Sequence, residues 1–374
     1  MKSTRTLTGD RPLEEIFSPL VAWYRQNARP LPWREDATPY HVWLSEVMLQ
    51  QTRIEAVRPY YARFLAEAPD IRALAALPED RLMKLWEGLG YYSRARNLRR
   101  AALVLCERYG AEMPKDYETL RTMPGIGEYT AGAIASIAFD RPTPAVDGNV
   151  LRVICRLTAD RDDVLAPATK KRITARLSAL YTACCTQKGD AAALTQGLME
   201  LGEVVCMPNR APLCEACPLA SLCRAREEGS QTDIPYRAPK KERRISHRLV
   251  LLLADEEGNY AIRRRPEDGL LGGLWELPHI ELPENREADG ERAECLAREF
   301  CRENGLASGE GVLLAPARHI FTHLTWQMQG YYLNVRKTEG ETGDLIFASP
   351  REIAAEYALP TAFAAYRRVI VEKT

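Results

Sequence analysis

Apolar and charged positions alternate with a helical period through most of the first two hundred residues. The pattern predicts successive short helices over 13–140, among them Asp80–Gly88 and Ser93–Tyr109, with breaks at Pro, Gly and Asn. It continues over 149–205 and includes Lys170–Leu180. Gly229–Arg244 is polar, basic and proline-containing, and reads as a linker. Beyond it the period changes. His247–Ala254 and Ala317–Arg336 read as strands, the latter with His319, Phe321 and His323 alternating with Ile320, Thr322 and Leu324. Glu291–Asn304 reads as a helix. The expected fold is multidomain: an all-α domain followed by a smaller α+β domain.

Bulk properties narrow the function only a little. A chain of 374 residues can form two or three cores. Its formal net charge is zero, and residues 1–228 carry 31 basic against 28 acidic groups, so charge alone decides nothing about nucleic acid. No apolar run is long enough to span a bilayer, and the N-terminus lacks the apolar core of a signal peptide. A cytoplasmic protein, nucleoid-associated if bacterial, is expected. Ten cysteines in such a chain point to metal binding or packing rather than disulfides.

Three constellations carry candidate chemistry. In Arg121–Val150, Pro124-Gly125-Ile126-Gly127 reads as a tight hairpin opening a helix, and Asp147 follows twenty residues after Gly127. The glycines admit close backbone approach, and the helix start offers unpaired N–H groups to an anion such as a DNA phosphate. Cys206, Cys214, Cys217 and Cys223 form C-x7-C-x2-C-x5-C, four thiolates able to hold zinc or an iron–sulfur cluster. Glu46 lies among apolar neighbours in Trp43–Thr52, a setting that raises a carboxyl's pKa and suits it to act as an acid.

The hairpin and Asp147 resemble the helix-hairpin-helix plus aspartate signature of the endonuclease III-like DNA glycosylases. The cysteine loop looks like that superfamily's [4Fe–4S] loop, with a first gap of seven residues where six is usual. Ser45–Thr52 (SEVMLQQT), Gly88–Arg94 (GLGYYSR) and Val146–Val150 (VDGNV) closely resemble the MutY family of adenine glycosylases. That likeness covers most of residues 20–225. It implies that Glu46 protonates the departing purine and then activates water, while Asp147 stays ionised and stabilises the sugar cation. Tyr129 and Asn149 match positions that orient these groups. Gln51 and Tyr91 match residues that fill the gap beside the opposite base, with Leu49, Thr52 and Leu89 near it and Gly125 and Gly127 on the phosphate. Tyr129 stands where bifunctional relatives carry a Schiff-base lysine, which implies a monofunctional enzyme.

Leu271–Pro278 (LGGLWELP) and the helix around Arg298 look like a Nudix domain. Arg302 stands where a metal-binding glutamate is expected, so the resemblance implies a binding module rather than a hydrolase. Phe321-Thr322-His323 matches the loop with which the family reads 8-oxoguanine. The expected organisation is a catalytic domain over 1–228 (a six-helix lobe about 30–140, and an iron–sulfur lobe of 1–29 plus 141–228), a linker over 229–245, and a Nudix-like domain over 246–374. The expected partner is double-stranded DNA carrying A:8-oxoguanine or A:G mispairs, bound by a monomer with no membrane association. The rival expectation is another endonuclease III-like mismatch or pyrimidine glycosylase.

Overall fold

The computed structural model describes residues 12–239, 242–283, 288–338 and 342–372. The first eleven residues of the expected iron–sulfur lobe, and 240–241 of the expected linker, lie outside the described residues. The chain forms two compact units. One joins the residues up to 76 with 97–239; the other joins 77–96 with the described residues after 239. Among the described residues, no helix is long and apolar enough to cross a membrane.

The first unit is helical. Gly148–Thr158 has every residue from Val150 to Leu157 buried, the mark of a helix enclosed on all sides. Leu20 of Phe17–Asn27, Val150, Ile154, Leu177 of Pro167–Cys184, and Leu194 and Leu198 of Asp190–Val204 share one core. The expected hairpin forms between Tyr117–Arg121 and Glu128–Ala133. Gly125 has φ +74°, and a Cβ there would lie 2.5 Å from Asn97 Cβ, so only glycine fits. Glu128–Ala133 runs on into a π-helical turn, Ile134–Ala138. Within the stretch of linker composition, Ile234 is 1% exposed in this core, and Arg156 Nε donates to Ile234 O at 2.8 Å. One apolar residue in a polar stretch was too faint a signal to mark that anchor.

The second unit is built on an eight-stranded mixed sheet: β1 Arg244–Ala254, β2 Tyr260–Arg264, β3 Trp275–Glu276, β4 His279–Leu282, β5 Leu306–Leu313, β6 Ala317–Ile320, β7 Leu324–Lys337 and β8 Leu345–Ala348. The main order is β3-β2-β1-β7-β5, with β1 and β7 parallel from Arg244↔Leu324 to Ala254↔Asn334. Strand β1 is covered on both faces, which explains its near-continuous apolar run. Val250 and Leu252 join a core with Trp326, Phe363 and Tyr366. Leu249, Leu251 and Leu253 join another with Ala293, Ala297 and Cys301 of helix Gly290–Glu303.

The expected single strand over Ala317–Arg336 is in fact two. Strands β6 and β7 pair antiparallel with Ile320 opposite Thr325, and Phe321 N–H donates to Leu324 O at 2.8 Å. Phe321, Thr322 and His323 therefore form the turn of a hairpin. The turn carries no Gly, Pro or Asn, so composition did not mark it. Residues 77–96 contribute helix Glu79–Trp86 and a turn. Arg264 pairs with Asp80 at 3.3 Å, and Arg96 Nη2 donates to Gly272 O at 2.6 Å.

Candidate active site

Glu46 lies near the end of helix Pro39–Leu49, which is buried on most sides from Tyr40 to Met48 and carries the carboxyl inward at 6% exposure. Burial pushes Glu46 up to about 7, although the Tyr129 hydrogen bond pulls it down. The Asp147 charge adds to the rise and Arg34 opposes it. Tyr129 sits in the first turn after the hairpin, and its hydroxyl donates to Glu46 Oε2. Burial first, then both carboxylates, hold the phenol well above its ordinary range, so it remains a donor.

Asp147 is the N-cap of Gly148–Thr158. Its Oδ1 accepts from Val150 N–H at 2.8 Å and its Oδ2 from Asn149 Nδ2 at 2.9 Å. Burial pushes this carboxyl up, opposed by those two donors and by the Arg152 cation. Arg152 Nη2 donates to Asn149 Oδ1 at 2.8 Å, and its Nε donates to Cys206 O at 2.7 Å. The segment carrying Asp147 reaches Tyr129 through a close crossing: a Cβ on Gly132 would fall 2.3 Å from Pro144 O.

These four side chains line one cavity of about 860 Å³, together with Leu49, Gln51, Thr52, Gly125 and Gly127. That is the size range of small-molecule sites. Gln51 has φ +59°, a costly conformation for a residue with a side chain. The same cavity holds a group that sequence reasoning missed. Glu200, 1% exposed, accepts from Arg29 Nε at 2.5 Å and Arg34 Nη2 at 2.7 Å. Burial would raise its pKa, but the two guanidiniums outweigh that and hold it below the ordinary range. Its partners lie 166 and 171 residues away, and no local pattern joins them. The cavity thus combines a proton-holding carboxyl with a second carboxyl fixed by N–H donors, enough to protonate a leaving group and face a developing cation.

Residues 44–181 match the HhH-GPD superfamily of base excision DNA repair proteins, and 249–368 match the NUDIX domain. The chain is 35% identical to the adenine DNA glycosylase of Mus musculus over 377 residues, covering 87% of this chain and 72% of that protein. It is 34% identical to the adenine DNA glycosylase of Homo sapiens, covering 86% and 67%. The chain belongs to the adenine DNA glycosylase family. Among solved structures it is similar to a thermostable thymine-DNA glycosylase, with TM-score 0.51 and 25% identity over 57% of this chain and 97% of that one. This adenine glycosylase is thus a base excision repair enzyme that hydrolyses N-glycosidic bonds.

The remaining sequence-derived residues of the glycosylase fall into two other places. Leu89 and Tyr91 join Phe321, Thr322 and His323 around a cavity of about 490 Å³ in the second unit. Tyr91 has φ +48° and is 47% exposed, and its hydroxyl lies 3.0 Å from Thr322 Oγ1. Cys206, Cys214, Cys217 and Cys223 line a third, small cavity of about 20 Å³ with Arg156 and Arg226. Arg156 Nη1 donates to Cys206 Sγ at 3.2 Å, and Cys223 Sγ lies 3.4 Å from Arg156 O. Among the described residues no three His, Cys, Asp or Glu side chains form a tight metal-binding group, although the four cysteines line one cavity. On the Nudix-like helix, Glu294 pairs with Arg298 at 2.7 Å and Glu299 with Arg302 at 3.5 Å.

Proposed function

We propose that the glycosylase removes adenine paired with 8-oxoguanine or guanine in duplex DNA, as a monofunctional enzyme acting as a monomer. The carrying observation is the pair of carboxyls, Glu46 buried and Asp147 half-buried, with unlike partners. Glu46, pushed up to about 7, holds a proton to give to the departing adenine. It then takes a proton from the attacking water. Asp147, which accepts two N–H hydrogen bonds, stays ionised and faces the oxocarbenium-like sugar. Tyr129 and Asn149 orient the two. Gly125 and Gly127 bring backbone to the phosphate, while Leu49, Gln51 and Thr52 lie beside the vacated stack. The target adenine must leave the helix to reach this cavity, at a cost of roughly a few kcal/mol. Since Tyr129 cannot form an imine, the abasic strand is left intact.

Excision is assigned to 1–228 and reading of the opposite base to 246–374, joined through 229–245, except that Leu89 and Tyr91 line the reading cavity. The 490 Å³ cavity offers Thr322 and His323 to a lesion's edge, with Phe321, Leu89 and Tyr91 around it. Arg302, a cation where a metal-binding glutamate is expected, favours binding over pyrophosphate cleavage. The four cysteines suit a [4Fe–4S] cluster, which would cross-link their loop through Fe–S bonds. Anaerobically prepared protein should carry about four irons per chain; zinc without sulfide would reject that assignment. The decisive assay is alkaline strand scission on duplexes pairing A, T or C with G or 8-oxoguanine. Release of adenine alone, strongest opposite 8-oxoguanine and with no scission before alkali, is expected. Release of thymine would favour the rival mismatch glycosylase.

A further inference from the structure

Glu87 closes helix Glu79–Trp86 and directly precedes the Gly88–Tyr91 turn. Its carboxylate meets three donors. Oε2 pairs with Lys84 Nζ at 2.8 Å, and Oε1 accepts from Arg367 Nη1 at 2.8 Å and Leu359 N–H at 2.9 Å. Lys84 also donates to Ile353 O at 3.2 Å and Tyr357 O at 3.0 Å. The Lys84 and Glu87 side chains are 10% and 13% exposed, so water screens the pair little and each is costly to leave alone. None of these groups lines the cavity around Glu46.

What they do hold is the second cavity. Leu359 leads into Pro360, Thr361 and Ala362, which line that cavity with the Gly88–Tyr91 and Phe321–His323 turns. One carboxylate therefore anchors the start of two of the four chain segments that line it, and the Tyr91–Thr322 hydroxyl contact at 3.0 Å joins a third. Hydrogen-bond discrimination is lost when donor and acceptor move apart by a fraction of an ångström. We propose that Glu87, supported by Lys84 and Arg367, is a positioning residue for the choice of opposite base. It sets the spacing across the cavity without touching DNA. The inference rests on the reading of the Phe321–His323 turn given above.

The test is single-turnover excision of adenine opposite 8-oxoguanine and opposite guanine, with thermal melts, in full-length Glu87→Ala, Glu87→Gln and Arg367→Met. Glu87→Ala should reduce the 8-oxoguanine preference about tenfold, while excision opposite guanine stays within about twofold. Glu87→Gln keeps an amide oxygen for Leu359 N–H and should recover part of the preference. If Glu87→Ala does not fold, Arg367→Met carries the test with a loss of about threefold. A folded variant with unchanged preference, or an equal fall on both substrates, overturns the proposal. Thr322→Ala separates the two readings. If it leaves preference intact, the turn is not the reader; if it lowers preference while Glu87→Ala does not, only the positioning role fails.

Discussion

The two large cavities are built on opposite principles. Around Glu46 and Asp147 the working groups are carboxyls, the first buried and the second half-buried, each tied to a named donor. Around Thr322 they are aromatic rings and hydroxyls on two exposed turns, one of them with Tyr91 in the left-handed region. Bond cleavage needs electrostatics, which strengthen where water is excluded. Recognition of a base edge needs accessible partners whose spacing is fixed. Rate and choice should therefore be separable by mutation.

The largest break in that comparison comes from the carboxyls. Glu46→Gln and Asp147→Asn should each lower single-turnover adenine release by about 10³-fold or more, with duplex binding retained, because they remove transition-state stabilisation rather than phosphate contacts. Both mispairs should suffer alike; a variant that lost only 8-oxoguanine preference would merge the two cavities into one function.

The pH profile sharpens the same point. Glu46 must be protonated to act as the acid, and burial sets it at about 7. The rate of release should thus be high below that pH and fall about tenfold per unit above it. Since the Tyr129 hydrogen bond lowers the Glu46 pKa, Tyr129→Phe should move the falling limb to higher pH. A rate that rises through neutrality would assign Glu46 as a base in the first step instead.

The smallest effect belongs to the second cavity. Thr322→Ala with His323→Ala should remove about 1–3 kcal/mol of preference for A opposite 8-oxoguanine over A opposite guanine, read as the ratio of excision rates. The midpoint of the pH profile should not move. A shifted midpoint would mean that the turn acts on Glu46, against the separation drawn here.

Sequence reading singled out Glu46, Asp147 and the hairpin because short stretches of contiguous chain carry them, and the cysteines because spacing is itself a signal. It missed Glu200 with Arg29 and Arg34, a salt bridge that closes across more than 160 residues. Alternation alone ran one strand through Phe321-Thr322-His323, which only the family resemblance marked as a loop, since β-propensity continues through a turn that has no turn residue.

Local sequence determined the two kinds of secondary structure and the residue types available for chemistry, because these depend on backbone sterics and on neighbours a few positions away. Tertiary structure decided the rest. The raised pKa of Glu46 exists only once the helix is buried and Asp147 arrives from another segment, against the lowering hydrogen bond from Tyr129. The stretch 77–96 reads as one more set of helical turns, yet its ionic and backbone hydrogen bonds run to residues 264–367, so it belongs to the second unit. Such partners are distant in the chain, and no periodicity can encode where they meet.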